Sequence, residues 1–500
     1  MQGAHISRNE AYLSTPQCRE NVRQRSSWRL FATPSTLPYN MVNIFIKQQT
    51  FGDKRISIQP PSTRTPLSIK IAMLVYRLAW NIAIPFLRRN HRLHHGFSQR
   101  TLEEMPAPAD LWIQAASVGE SFLAGEVLRK LDPAGPIRVL LTTYTSQGME
   151  ILEKSRNEAM QQSGKLTIHT AYFPFDHPGL MTRAVTAIRP KVMLLLESEL
   201  WPGLLASCRQ HGVKVLVANG RMTAKSFSRY RIWPSLWRYL RPERILAISN
   251  DDASRFATLF GMDAVEAVPN IKFDRISKQS AENTTTNPLA YIFPPDTTAT
   301  AKLLVMGSVR EEEEADIIKL ICHIRGQNNQ ISIALFPRHM HRIKNWEKIL
   351  ESHELPWQLR SRCTGPVPHG SIILWDTMGE MLFAYQLADA AFVGGSLAPL
   401  GGQNFLEPLT CGLKPVIGPH WSNFFWIGRD IIDQQLVFQA KDWQEAADIL
   451  MRNCSLPPQR EQTRQKLITY VKNRRGGTDT TCTTINNLLF EGSVNPITNK

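Results

Sequence analysis

Six short stretches of this chain combine residue types and spacings that could do chemistry. Two carboxylates, Glu197 and Glu199, close an apolar run in L-E-S-E-L-W-P (196–202). Acids at the end of an otherwise apolar strand cost free energy unless they are paired or face a cleft. Alternation sends them to opposite faces if the strand runs that far. A third carboxylate, Glu120, ends A-S-V-G-E (116–120), where a strand gives way to a helix. It can take a proton from a substrate hydroxyl as a general base. It can equally be a plain helix cap, since free N–H groups and the helix dipole favour an anion there. Lys272 in P-N-I-K-F-D (269–274) is a lone cation. Only its place near a domain junction separates it from an ordinary solvated lysine.

The other three stretches suit an anion or a nucleotide. F-P-R-H-M-H-R (336–342) follows an apolar strand, and Arg338 offers a planar donor fork for phosphate, with His339 beside it. The alternative is a solvated basic loop. W-D-T-M-G-E-M (375–381) ends a strand at Asp376, turns on glycine and opens a helix near Glu380. It can present backbone N–H groups to an anion or base edge, or be an ordinary turn. The densest stretch is G-G-S-L-A-P-L-G-G-Q-N-F-L-E-P (394–408). Paired glycines let backbone approach a ligand closely, and Glu407 is placed to accept hydrogen bonds from ribose hydroxyls. The pattern is neither G-x-G-x-x-G nor G-x-x-x-x-G-K-[ST]. No Asp-x-Asp pair, H-E-x-x-H or G-x-S-x-G occurs.

These stretches sit between alternating strands and helices. Apolar runs at 111–116, 137–144, 191–198, 214–220 and 244–249 predict a doubly wound parallel sheet over about 100–275. A second series at 302–308, 331–337, 371–376, 390–395 and 414–419 predicts another. Ligands of such sheets bind at the carboxyl ends of the strands. The expected organisation is an extension (1–65), a membrane-associated segment (66–98), a first α/β domain (99–275), a linker (276–300), a second α/β domain (301–485) and a tail (486–500). Two such domains facing a cleft make a GT-B arrangement.

The extension is rich in Ser, Thr, Pro, Gln and Arg and reads as disordered. The segment Ile71 to Leu87 is apolar but broken by Arg77 and Asn81, and Arg88 and Arg89 follow it. It suits a membrane-surface helix or short anchor better than a free-standing span. A buried amphipathic helix and a secretory signal are the alternatives. Net charge is +15, from 58 basic and 43 acidic residues. Such an excess points to acidic partners: nucleic acid, anionic lipid or a phosphorylated substrate. Seven dispersed cysteines without a C-x-x-C pair suit reduced thiols in a cytoplasmic compartment.

In order, ASVGE, TTYTSQG, YFPFDHPG, RPKVMLLLESELWP, NGRMTAKS, PNIKFD, GSVREEEE, PRH, DTMGE and GGSLAPLGGQNFLEP resemble the Kdo transferases, over about residues 73–470. That family attaches 3-deoxy-D-manno-oct-2-ulosonic acid (Kdo) to a lipid A precursor. The resemblance implies a GT-B fold, a CMP-Kdo donor, a tetra-acylated disaccharide lipid acceptor, and an inverting, metal-independent reaction without cofactor. It also implies the cytoplasmic face of a bacterial inner membrane, with anionic lipid and not nucleic acid as the acidic partner. The family's general base falls on Glu120, and its transition-state-supporting residues on Glu197 and Lys272. Its CMP contacts fall on Pro337 and Arg338, on Met378, Gly379 and Glu380, and on Asn404, Phe405, Leu406 and Glu407. This chain has Ser308-Val309-Arg310 where the family has Ser-Thr-His, and Gln403 where it has His in Gly-Gly-His-Asn. The N-terminal extension is a further departure.

The implied mechanism is direct displacement, with Arg338, Lys272 and the glycine-loop amides offsetting the charge of departing CMP. Two rivals remain. A GT-B-shaped epimerase of free nucleotide sugars needs no membrane segment. A peripheral membrane module binding acidic lipid needs none of the three glutamates.

Overall fold

The structure, a computed structural model, describes residues 65–90, 93–279, 287–293 and 302–490. The expected extension lies outside the described residues, apart from Thr65.

The first sheet has seven strands, all parallel: β1 (Leu111–Ala115), β2 (Ile137–Thr143), β3 (Leu166–Tyr172), β4 (Val192–Leu196), β5 (Lys214–Gly220), β6 (Arg244–Ala247) and β7 (Val265–Ala267), in the order β3-β2-β1-β4-β5-β6-β7. The order reverses at β1/β4, the crevice where open α/β sheets take ligands. The apolar runs became the central strands because each is buried on both faces; β1 and β4 are buried at every position. Trp112, Met193, Leu195 and Val217 fill one face, and Leu111, Ile113, Leu194 and Leu216 the other.

The second sheet repeats the plan with β8 (Lys302–Val309), β9 (Ile331–Pro337), β10 (Trp357–Leu359), β11 (Ile372–Leu374), β12 (Ala390–Val393), β13 (Val416–Ile417) and β14 (Phe438–Gln439). Their order is β10-β11-β9-β8-β12-β13-β14, again all parallel.

Two sequence boundaries shift. The helix Gly477–Phe490 does not finish the second domain; Cys482, Ile485, Leu488 and Leu489 join the core under β4 and β5 of the first. Gly477 lies so close to the Pro269 carbonyl that a Cβ there would sit 2.1 Å from its oxygen, which only glycine allows. Asp274 caps this helix, accepting from the N–H of Gly476 (2.9 Å) and the N–H and hydroxyl of Thr478 (2.8 and 2.7 Å). The linker is also partly structural: Leu289 and Ile292 are buried in the second domain's core.

The first described helix, Leu67–Leu87, is long and apolar enough to cross a membrane by length and composition. One stripe of it docks on the first domain. Ile69 and Ala72 are buried, and Met73 packs on the core beside them. The Tyr76 hydroxyl donates to Asp176 at 2.8 Å, and Trp80 lies 5.8 Å from the Phe175 ring. Asp176 in turn accepts from the N–H groups of Gly203 and Leu204 at the start of the helix Pro202–Gln210. Leu67, Ile71, Leu74, Val75, Leu78, Ile82 and Phe86 face outward.

Candidate active site

Glu120 occupies the first turn of the helix Val118–Lys130, which springs from the end of β1. Ser117 caps that helix, its Oγ accepting from the Glu120 N–H. The Glu120 carboxylate reaches back to accept from the Ala116 N–H at 2.6 Å and from the Ser117 hydroxyl at 3.2 Å. Ser117, not Glu120, is therefore the cap of this helix, and the two hydrogen bonds hold the Glu120 carboxylate at the sheet's carboxyl edge. Glu120 is only 7% exposed. Burial pushes its pKa up to about 7, with the charges of Glu199 and Glu197 adding to the rise and the Ala116 and Ser117 hydrogen bonds opposing it.

Strand β4 stops at Leu196, so alternation does not govern the two acids after it. Glu197 takes a left-handed conformation (φ +56°), costly for a residue with a Cβ. The charges of both carboxylates add to the raised pKa of Glu120. Glu197 pairs with Lys272 Nζ at 2.7 Å. Glu199 accepts from the Trp201 indole N–H at 2.7 Å, and burial raises its pKa. Trp201 packs on Tyr144, 5.3 Å between ring centroids, which lays an aromatic wall beside the acids.

Lys272 is held by its helix, Ile271–Gln279, whose first N–H donates to Asn219 at the end of β5 (2.9 Å). Its ammonium also lies 5.7 Å from the Trp426 ring, in the second domain. Lys272 thus touches both halves of the chain.

On the second sheet, Arg338 directly follows β9 and is exposed. No ion pair engages its guanidinium among the described residues, but its charge lowers the pKa of Glu407, which burial raises. Asn404 donates to Glu407 at 2.9 Å. Pro337, Phe405 and Leu406 are buried, and the last two pack with Phe273 and Ile276 of the Lys272 helix. Their side chains are core, leaving backbone as the part that can meet a ligand. Met378 is 75% exposed beside Gly379 (φ +86°). Glu380 accepts from Nε and Nη2 of Arg360 (3.0 and 2.9 Å), from the Trp375 indole N–H and from the Thr377 hydroxyl.

The glycine loop corrects one expectation. The N–H groups of Gly395, Ser396 and Leu397 do not point at open space for a phosphate. All three donate to the carboxylate of Glu313, at 2.5, 3.2 and 3.3 Å, as does the Arg310 N–H at 2.9 Å. Glu313 is 1% exposed. Sequence reasoning missed it because it stands in a run of four glutamates, 311–314, identical in type. Two departures from the family pattern, Arg310 and Gln403, both border the space beside Gly395.

Two doubly wound parallel sheets, with acids at the carboxyl edge of one and a basic, glycine-rich loop cluster at that of the other, define a protein of the GT-B fold. A glycosyltransferase from Rickettsia africae shares this fold, with a TM-score of 0.50 at 9% identity over 76% of this chain and 98% of that one. Residues 88–275 match the family model described as 3-Deoxy-D-manno-octulosonic-acid transferase (kdotransferase). The 3-deoxy-D-manno-octulosonic acid transferase of Bordetella pertussis is 33% identical over 368 residues, 71% of this chain and 82% of the relative. That of Haemophilus influenzae is 27% identical over 368 residues, 72% and 82% respectively. This chain belongs to the Kdo transferase family.

Proposed function

We propose that this protein moves Kdo from CMP-Kdo to the lipid A precursor lipid IVA, with inversion, at the cytoplasmic face of a bacterial inner membrane. The observation that carries the reading is Glu120, a buried carboxylate at a strand end with a pKa near 7. A base of that pKa is substantially ionised at neutral pH yet basic enough to accept a hydroxyl proton, help worth about 10²–10⁴ in rate. In the proposed step the acceptor oxygen attacks the anomeric carbon as Glu120 takes its proton. The bond to the CMP oxygen breaks, and CMP leaves as an anion. A single displacement of this kind inverts the centre. Arg338 and Lys272 supply positive charge for the leaving group. The glycine-loop amides that Glu313 occupies do not.

The first domain would take the acceptor and the second the donor, so that bringing them together aligns the reactants and excludes water. The outward apolar stripe of the helix Leu67–Leu87, followed by Arg88 and Arg89, supports the membrane-facing part of this reading. Incubation with CMP-Kdo and lipid IVA should release CMP and add Kdo to the lipid by mass spectrometry. Turnover of a nucleotide sugar without acceptor would favour the epimerase, and lipid binding without CMP release the membrane module.

A further inference from the structure

Arg310 stands at the end of β8, and its backbone is pinned there. Its N–H donates to Glu313, the carboxylate that also holds Gly395, Ser396 and Leu397. One buried acid thus sets Arg310 and the glycine loop in a fixed relation. The two side chains that flank Gly395 are Gln403 and Arg310. A Cβ on that glycine would come within 3.1 Å of Gln403 Cγ and 3.5 Å of Arg310 Cγ, and its φ of +65° suits glycine as well. The Arg310 Nη2 makes one long contact with Glu312, at 3.4 Å. Its Nε is buried without a hydrogen-bond partner. The side chain as a whole is 27% exposed, so the guanidinium can be reached by a ligand from its open side.

Arg310 is one of two adjacent arginines. The Arg338 N–H donates to the carbonyl of Val309, the residue before Arg310, at 2.7 Å, and the charges of both arginines lower the pKa of His339 after the larger effect of burial. They differ in what else they reach. The Arg338 charge is felt at Glu407, on the ribose side, whereas that of Arg310 is felt at Glu312. Two neighbouring cations suit a ligand with two neighbouring anions. A CMP-linked 2-ulosonic acid is such a ligand, because its anomeric carbon bears both the leaving phosphate and a carboxylate.

On the reading given under Proposed function, we infer that Arg310, backed by Gln403 across Gly395, binds the carboxylate of the donor sugar beside the phosphate held by Arg338. The test compares CMP, which has the phosphate alone, with CMP-Kdo, which has both anions. Arg310→Gln should leave the CMP dissociation constant within about twofold by calorimetry and raise the KM for CMP-Kdo about tenfold or more, the loss expected for one charge-assisted contact. Arg310→Lys, which keeps the charge but not the fork, should fall between. Arg338→Ala should weaken both ligands. An equal loss of CMP affinity in Arg310→Gln, with an unchanged melting temperature, would make Arg310 a phosphate ligand and overturn the assignment. An unchanged KM in both Arg310 variants would remove Arg310 from the donor site. In either case wild-type turnover would leave the transferase reading standing. A wild type that does not consume CMP-Kdo would take both readings down.

Discussion

Lys272 and Glu197, 75 residues apart in the chain, bring their charged groups to 2.7 Å, and the same ammonium lies 5.7 Å from the Trp426 ring of the other domain. The pair therefore reports on the catalytic edge and on the junction together. Glu197→Gln should cut turnover while leaving CMP affinity near wild type, whereas Lys272→Met should cut turnover and weaken CMP. The double variant should be less impaired than the sum, with a coupling of about 0.5–3 kcal/mol in a double-mutant cycle. Additive effects would mean that the two act separately.

The pKa of Glu120, about 7 in the folded chain against 4.5 ordinarily, fixes the sign of a pH effect. Between these values the folded protein holds the proton that the unfolded chain has lost. Stability therefore falls as pH rises from about 4.5 through 7, and Glu120→Gln should flatten this slope in melting curves. Turnover should rise over the same range with an apparent pKa near 7 and drop by about 10²–10⁴ in the variant. Because Glu199 adds to the rise, Glu199→Gln should move the acid limb of the rate profile to lower pH. A variant that is less stable yet fully active would reduce Glu120 to a structural part of the helix's first turn.

Arg338 is exposed, and no ion pair holds it among the described residues, so removing it should cost binding and little stability. Arg338→Ala should raise the CMP dissociation constant by roughly 10- to 150-fold, corresponding to about 1.5–3 kcal/mol. Glu407→Gln should act more mildly, since Asn404 can still bond to the amide oxygen. Normal CMP affinity by calorimetry in both variants would place the nucleotide elsewhere.

The helix Leu67–Leu87 separates docking from its outward face. Leu78→Gln with Ile82→Gln leaves Ile69, Ala72, Tyr76 and Trp80 in place, so the melting temperature should hold. Sedimentation with anionic phospholipid vesicles should weaken at least about tenfold. What binding remains should fall further with salt. Unchanged partitioning would show that this face does not meet lipid. Tyr76→Phe, by contrast, should lower stability by about 1 kcal/mol through the lost bond to Asp176.

The central strands were legible because a strand buried on both faces must be apolar almost throughout, as β4 is along its whole length and β1 and β9 are apart from Gln114 and Ser332. The edge strand β3, L-T-I-H-T-A-Y, was not anticipated, since it mixes exposed and buried positions. The short strands β7, β10 and β14 carry too few residues to show a period. Glu120, Glu197 and Lys272 stood out because charge at a strand end or junction is conspicuous. The φ of +56° at Glu197 was not legible, for nothing in L-E-S-E says that the strand ends two residues early. Glu313 was hidden among identical neighbours, and only burial singles it out. The docking of Gly477–Phe490 is a property of tertiary packing: its apolar spacing shows a face to bury but not which core receives it.

That helix also governs the order in which the protein can be built. The first sheet lacks part of one face until Cys482, Ile485, Leu488 and Leu489 are synthesised. The whole second domain is translated in between. At ~5–20 residues per second, the half-finished face stays uncovered for on the order of 10–40 s. During that time Val127, Leu196 and Leu216 on that face lack their final cover. A ribosome that stalls or stops short of this helix leaves behind an N-terminal half that has been fully translated with part of one sheet face still bare.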